Sequence, residues 1–128
     1  RARSRPRLLA FALDGSAPAP PWAEMRHFAA PPEPRPDTAL ASAGNDLFEA
    51  YGCMTCHGPE GVAVVAELDL RTRLPGSVEY LQTVLGGALA ARGMPAFEMT
   101  DEGAEALRAY LINRAWDAHE AQEAASEP

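Results

Sequence analysis

Two thiols and an imidazole fall within five residues at Cys53-Met54-Thr55-Cys56-His57, and no other stretch of the chain is as well equipped for chemistry. Two residues between the cysteines make about one helical turn, so both sulfurs point to one side while the next residue swings an imidazole beneath them. That spacing suits thioether bonds to two vinyl groups on one edge of a haem, with His57 as an axial ligand to its iron. A bare Cys-x-x-Cys also occurs in zinc ribbons and thioredoxin-like dithiols. Structural zinc wants a second pair of Cys or His ligands, yet His27 and His119 stand at no ligand-like spacing. A dithiol site wants a parallel α/β setting, whereas an amphipathic helix precedes this motif and no strand pattern follows it.

What fills the sixth iron position decides between electron transfer and haem catalysis. Met54 sits inside the motif and cannot cross to the opposite face, and Met25 lies in a proline-rich stretch, which leaves Met94 and Met99. Met94 is the better candidate because Arg92-Gly93-Met94-Pro95 combines a glycine that permits close backbone approach with a proline that stiffens the loop. Met99, just before Thr100, reads as a helix staple or core residue and is the second candidate. An open or displaceable sixth site would instead mean a haem enzyme or gas sensor. Only Arg92 is placed by sequence to serve such a site.

The elements that must position these groups read as helices. One begins near Ser42 as N-cap, carries Leu47, Phe48 and Tyr51 on one face and stops at Gly52 beside the motif. A second runs from Ser77 to Gly86-Gly87. The third runs from a Thr100 cap through Leu107, Tyr110, Leu111 and Arg114 to about Trp116. The expected fold is all-α, with residues 40–118 as the folded domain and 119–128 as an acidic tail. Val64, Val65, Leu81, Val84, Leu85, Phe97 and Leu111 are the candidate core and haem wall.

Eight of the twelve prolines lie before residue 40, and residues 16–39 read as an extended, polyproline-like linker. Trp22, Met25 and Phe28 within it can anchor on a neighbouring domain or fold back on this one. Leu8 to Leu13, closed by Asp14-Gly15, reads as a short strand without a partner rather than a signal peptide, whose apolar region is longer. The net charge is −7, and all eleven basic residues are Arg. An acidic surface excludes nucleic acid as a partner, and no apolar run approaches the roughly 18 to 20 residues of a membrane span.

Gly44 with Phe48, the Cys-x-x-Cys-His run, Gly93-Met94-Pro95 and a last helix carrying Leu107 and Tyr110 together resemble a class I cytochrome c. The resemblance implies a cytochrome c fold of three to five helices around one covalent haem c, with His57 proximal and Met94 distal. It also implies that Gly44 and Phe48 meet Leu107 and Tyr110 where the first and last helices cross. The leading Leu-Leu-Ala-Phe-Ala-Leu-Asp-Gly, the proline linker, Leu68-Asp69-Leu70-Arg71 and the run from Gly86 to Pro95 resemble the C-terminal portion of quinohaemoprotein alcohol dehydrogenases.

On that likeness residues 1–15 are the last strand of a propeller that holds pyrroloquinoline quinone (PQQ), and this domain relays the propeller's electrons without being an enzyme by itself. The acceptor would be another cytochrome, a cupredoxin or a respiratory-chain component, in the bacterial periplasm. Arg71 matches the family's propionate-binding arginine, and Arg73 is a weaker candidate for the same role. Relatives place a proline before Asp-Leu-Arg, in the segment whose carbonyl fixes the proximal His. Here that residue is Leu68, which leaves the identity of the carbonyl open.

Overall fold

The computed structural model describes residues 13–16 and 26–126. Four α-helices form, and no strand is present among the described residues: α1 (Thr38–Ala50), α2 (Met54–His57), α3 (Val78–Thr83) and α4 (Asp101–Ser126). Short 3₁₀ turns punctuate the loops, and α3 runs into a single π-turn over Val84–Ala88 that breaks at Gly87.

The first helix starts earlier than Ser42. Asp37, just after Pro36, accepts from the amides of Ala39 and Leu40 at 2.9 and 3.1 Å and caps the helix there. Ser77 caps α3 through the Tyr80 amide, and Thr100 caps α4 through the Gly103 amide, both at 3.1 Å and both at the expected residues.

The core lies between α1 and α4. Phe48 packs its ring 5.3 Å from that of Tyr110, and Leu81, Leu85, Ala104, Leu107 and Leu111 complete the cluster. The helices can approach this closely because residue 44 is glycine: a Cβ there would lie 2.0 Å from the carbonyl oxygen of Ala106. The expected meeting of Gly44 and Phe48 with Leu107 and Tyr110 is therefore present, with Ala106 at the point of nearest approach.

The last helix does not end near Trp116. It continues to Ser126, so most of the expected tail is helical. The additional turns lie under residues 26–37, which form a strap rather than a free linker. The Trp116 indole donates to the Glu33 carbonyl at 3.0 Å, and Arg35 pairs with Asp117 and Glu120 at 2.7 and 2.9 Å. Arg108 pairs with Glu33 and donates through Nε to the Pro75 carbonyl at 3.0 Å, tying the strap to the loop before α3. Phe28 folds back on this unit, half-buried. Trp22, Met25 and the expected strand before Leu13 lie outside the described residues, and Leu13 and Asp14 form a turn.

Candidate haem site

α1 delivers the motif. Its last turn is closed by Tyr51 and Gly52, and the Cys53 amide donates to the Phe48 carbonyl at 3.1 Å, so the first cysteine is fixed to the residue with the largest fully buried side chain of the core. Cys53 to His57 then form one turn, with the His57 amide on the Cys53 carbonyl at 3.0 Å. Cys53 is half-buried, which pushes its thiol up from the ordinary range, while Cys56 is exposed. The two cysteines are not joined in a disulfide.

The His57 ring is oriented by one bond: Nδ1 lies 2.8 Å from the backbone oxygen of Leu68. A carbonyl only accepts, so Nδ1 carries the proton, and the lone pair stands on Nε2, the nitrogen that binds metals in this arrangement. The carbonyl left open by the sequence is thus that of Leu68 itself. Its amide closes a turn on the Val65 oxygen at 3.0 Å.

The adjacent Asp69 is fully buried. Its carboxylate accepts from the Arg71 amide at 3.1 Å, Arg71 Nε at 3.0 Å and Arg71 Nη2 at 2.8 Å, and from Arg26 Nη1. Burial alone would raise this carboxyl, but the bonds and charge of Arg71, together with the charge of Arg26, outweigh it and hold the group below the usual carboxylate range.

Met94 is half-buried against the core, and its amide donates to the Leu89 oxygen at 3.3 Å. Gly93 precedes it at φ 93°, and a Cβ there would meet nothing within 4 Å. The glycine suits the left-handed turn at this position. The loop is pinned beyond Met94 by the Phe97 amide on the Leu85 oxygen at 2.7 Å, by Tyr51 edge-on to Phe97 at 5.9 Å, and by the Tyr51 hydroxyl on the Glu98 oxygen at 2.8 Å. Met99 packs beside Gly103 on the first turn of α4, where a staple would sit.

Of the expected wall, Leu81, Leu85 and Leu111 are core and Phe97 is half-buried, whereas Val64 is 81% exposed and Val65 is also exposed. Arg71 spends Nε and Nη2 on Asp69 and lays its guanidinium 4.5 Å over the Phe28 ring. Arg73 is exposed and makes no ion pair among the described residues. Arg26, which the sequence reading did not single out, is the unexpected member of the site. Its only sequence signal is an arginine among prolines.

These residues fit a covalent haem. The two thiols lie on one turn, and the imidazole after them has its outer nitrogen free. Cys53, Leu70, Leu74, Val78, Met94 and Phe97 form a rim of partly buried apolar groups around the core. Zinc is a poorer match, since no cluster of three or more His, Cys, Asp or Glu gathers among the described residues.

Comparison with known proteins agrees. Residues 39–111 match the family model for cytochrome c oxidase, cbb3-type, subunit III. The chain is 32% identical to lupanine 17-hydroxylase [cytochrome c] of a Pseudomonas species over 91% of its length and 17% of the relative's. It is 33% identical to quinohemoprotein alcohol dehydrogenase ADH IIB of Pseudomonas putida over 97% of its length and 19% of the relative's. The dehydrogenase subunit of the quinone-dependent alcohol dehydrogenase of Acetobacter aceti is 32% identical over 88% of the chain and 16% of the relative. The chain thus spans less than a fifth of these relatives. No solved structure matches it significantly. Fold, motif and family model together establish that the chain belongs to the cytochrome c family, as a domain of the cbb3-type subunit III kind.

Proposed function

We propose that this domain transfers single electrons through one haem c, attached at Cys53 and Cys56 and ligated by His57 and Met94, as the electron outlet of a PQQ-dependent dehydrogenase. The observation that carries the ligation is the His57 ring, set by the Leu68 carbonyl with Nε2 free at the end of the cysteine turn. The haem supplies a one-electron couple whose potential rises with Met and His as axial ligands.

The protein's share is to keep those ligands in place in both oxidation states. The Leu68 bond does so for His57, and the pinned loop from Leu85 to Glu98 does so for Met94. Apolar side chains of the rim keep water from the iron and favour the less charged ferrous state. Arg73 is the freer candidate for a propionate, because Arg71 has only Nη1 not engaged with Asp69.

Support for the companion dehydrogenase comes from the relatives. The likeness to ADH IIB extends over 97% of the chain, taking in the proline-rich segment as well as the helices. On this reading the donor is a PQQ domain and the acceptor another cytochrome, a cupredoxin or a respiratory-chain component, in the periplasm. No helix among the described residues is long and apolar enough to cross a membrane.

Visible spectra with and without carbon monoxide test the ligation. The unmutated protein should show the weak far-red band of ferric Met ligation and resist carbon monoxide when reduced, and Met94→Ala should lose the band and bind the gas. Ready binding by the unmutated protein would put a haem enzyme or gas sensor first.

A further inference from the structure

We infer that Arg26, a residue of the N-terminal strap, is a positioning residue for the proximal ligand, acting through the loop that carries the Leu68 carbonyl. The inference rests on His57 being that ligand.

The loop from Ala63 to Asp69 follows the motif and its short 3₁₀ turn and brings the Leu68 carbonyl to His57 Nδ1. The loop has no helix or strand of its own, so polar bonds from outside it help hold its shape. Arg26 makes them at both ends. Nη1 donates to the Ala63 oxygen at 2.9 Å and to the buried Asp69 carboxylate, and Nη2 donates to the Val64 oxygen at 2.7 Å. Leu68 is the residue immediately before the second anchor. A planar fork with several fixed donors can bridge three acceptors in this way, and an ammonium on a flexible stem cannot.

Arg26 is itself held from the far side. Its own carbonyl accepts from Gln122 Nε2 at 2.8 Å, and the same side chain's Oε1 takes the Phe28 amide at 2.8 Å. His119 Nδ1 lies 2.9 Å from the Phe28 carbonyl, and the Phe28 ring lies under Arg71, the other partner of Asp69. A continuous path therefore runs from the last turns of α4 through the strap to the imidazole. Arg26, His119 and Gln122 all fall outside residues 39–111, the segment matched by the family model.

The test is solvent exchange of the His57 Nδ1 proton, followed by nuclear magnetic resonance in the reduced holoprotein labelled with nitrogen-15 histidine. Arg26→Ala should accelerate that proton and the Leu68 amide on the order of tenfold by local opening, while the core amides of Phe48 and Leu111 keep their rates. Arg26→Lys should restore only part of the protection. Gln122→Ala, which frees the strap without touching the loop, should give the same local pattern. Unchanged exchange in Arg26→Ala and Gln122→Ala overturns the inference, as does equal acceleration at His57, Leu68, Phe48 and Leu111, the mark of general destabilisation. A His57 ring that titrates freely in the unmutated holoprotein overturns instead the ligand assignment beneath it.

Discussion

His57 Nδ1 and the backbone oxygen of Leu68 stand 2.8 Å apart, and the residue that supplies the oxygen also donates its amide to Val65 at 3.0 Å. Proline at position 68 keeps the oxygen and loses the donor. The lost turn bond costs about 1 kcal/mol, and the stiffer unfolded chain returns about 0.4 to 1 kcal/mol. Leu68→Pro is therefore expected to keep the haem spectrum and to unfold within about 1 kcal/mol of the parent in urea. A lost or altered spectrum would show that the Leu68 side chain, and not only its carbonyl, sets the ring.

Gly44→Ala drives a methyl into the Ala106 carbonyl and the Tyr110 Cβ. Overpacking at a rigid helix contact should cost about 2 to 3 kcal/mol. The cost should appear in the denaturation midpoint, with the spectrum of the surviving folded protein unchanged, because the contact lies away from the motif. A loss below about 0.5 kcal/mol would mean that the two helices separate easily.

Asp69 gives a pH dependence whose sign is fixed by its lowered carboxyl. A folded-state value below the unfolded one means that the unfolded chain binds the proton more readily, so the stabilisation is complete above the ordinary carboxylate value of about 3.9 and is lost as pH falls toward the folded value. Stability measured in urea from about pH 5 downward should therefore fall more steeply in the parent than in Asp69→Asn. The variant should be the weaker of the two near neutrality, since it leaves Arg26 and Arg71 facing an uncharged amide in a buried place. Parallel acid limbs for the two proteins would contradict the ion-paired state of Asp69.

Tyr51 holds the Met94 loop in two ways, by its hydroxyl on Glu98 and by its ring edge-on to Phe97. Tyr51→Phe removes the first and should cost about 0.5 to 1 kcal/mol, the contact being exposed. Tyr51→Ala removes both, and the far-red band proposed for Met94 should weaken as the loop loosens. An unchanged band in Tyr51→Ala would show that Pro95 and the Phe97 amide suffice to hold the methionine.

The motif was legible because covalent attachment fixes residue types and spacing, and Phe48, Leu107 and Tyr110 were legible because helical periodicity shows which faces must be buried, whereas Gly44 and its meeting with them came from the resemblance to class I cytochrome c. The Leu68 carbonyl was not, since every residue carries one and only the path of the loop decides which is used. The early cap at Asp37 carried a local signal, an Asp directly after Pro36, that a later Ser obscured. The length of α4 carried none. From Asp117 onward its sequence is charged and alanine-rich with little apolar period, and the bonds that extend it come from Phe28 and Arg35, at the other end of the chain.

The Gly44 to Ala106 approach also bears on the order in which the molecule can be made. Its partners come from the first and last helices, and Cys53, Cys56, His57 and Met94 lie between them. A chain whose α4 has not yet docked leaves Phe48 without Tyr110 and much of the core unburied, and closing so long a loop is paid in entropy before any contact rewards it. Until the last helix docks, Cys53 and Cys56 therefore stay on an open segment, accessible to whatever machinery would join them to the proposed haem. Docking of α4 would end that window.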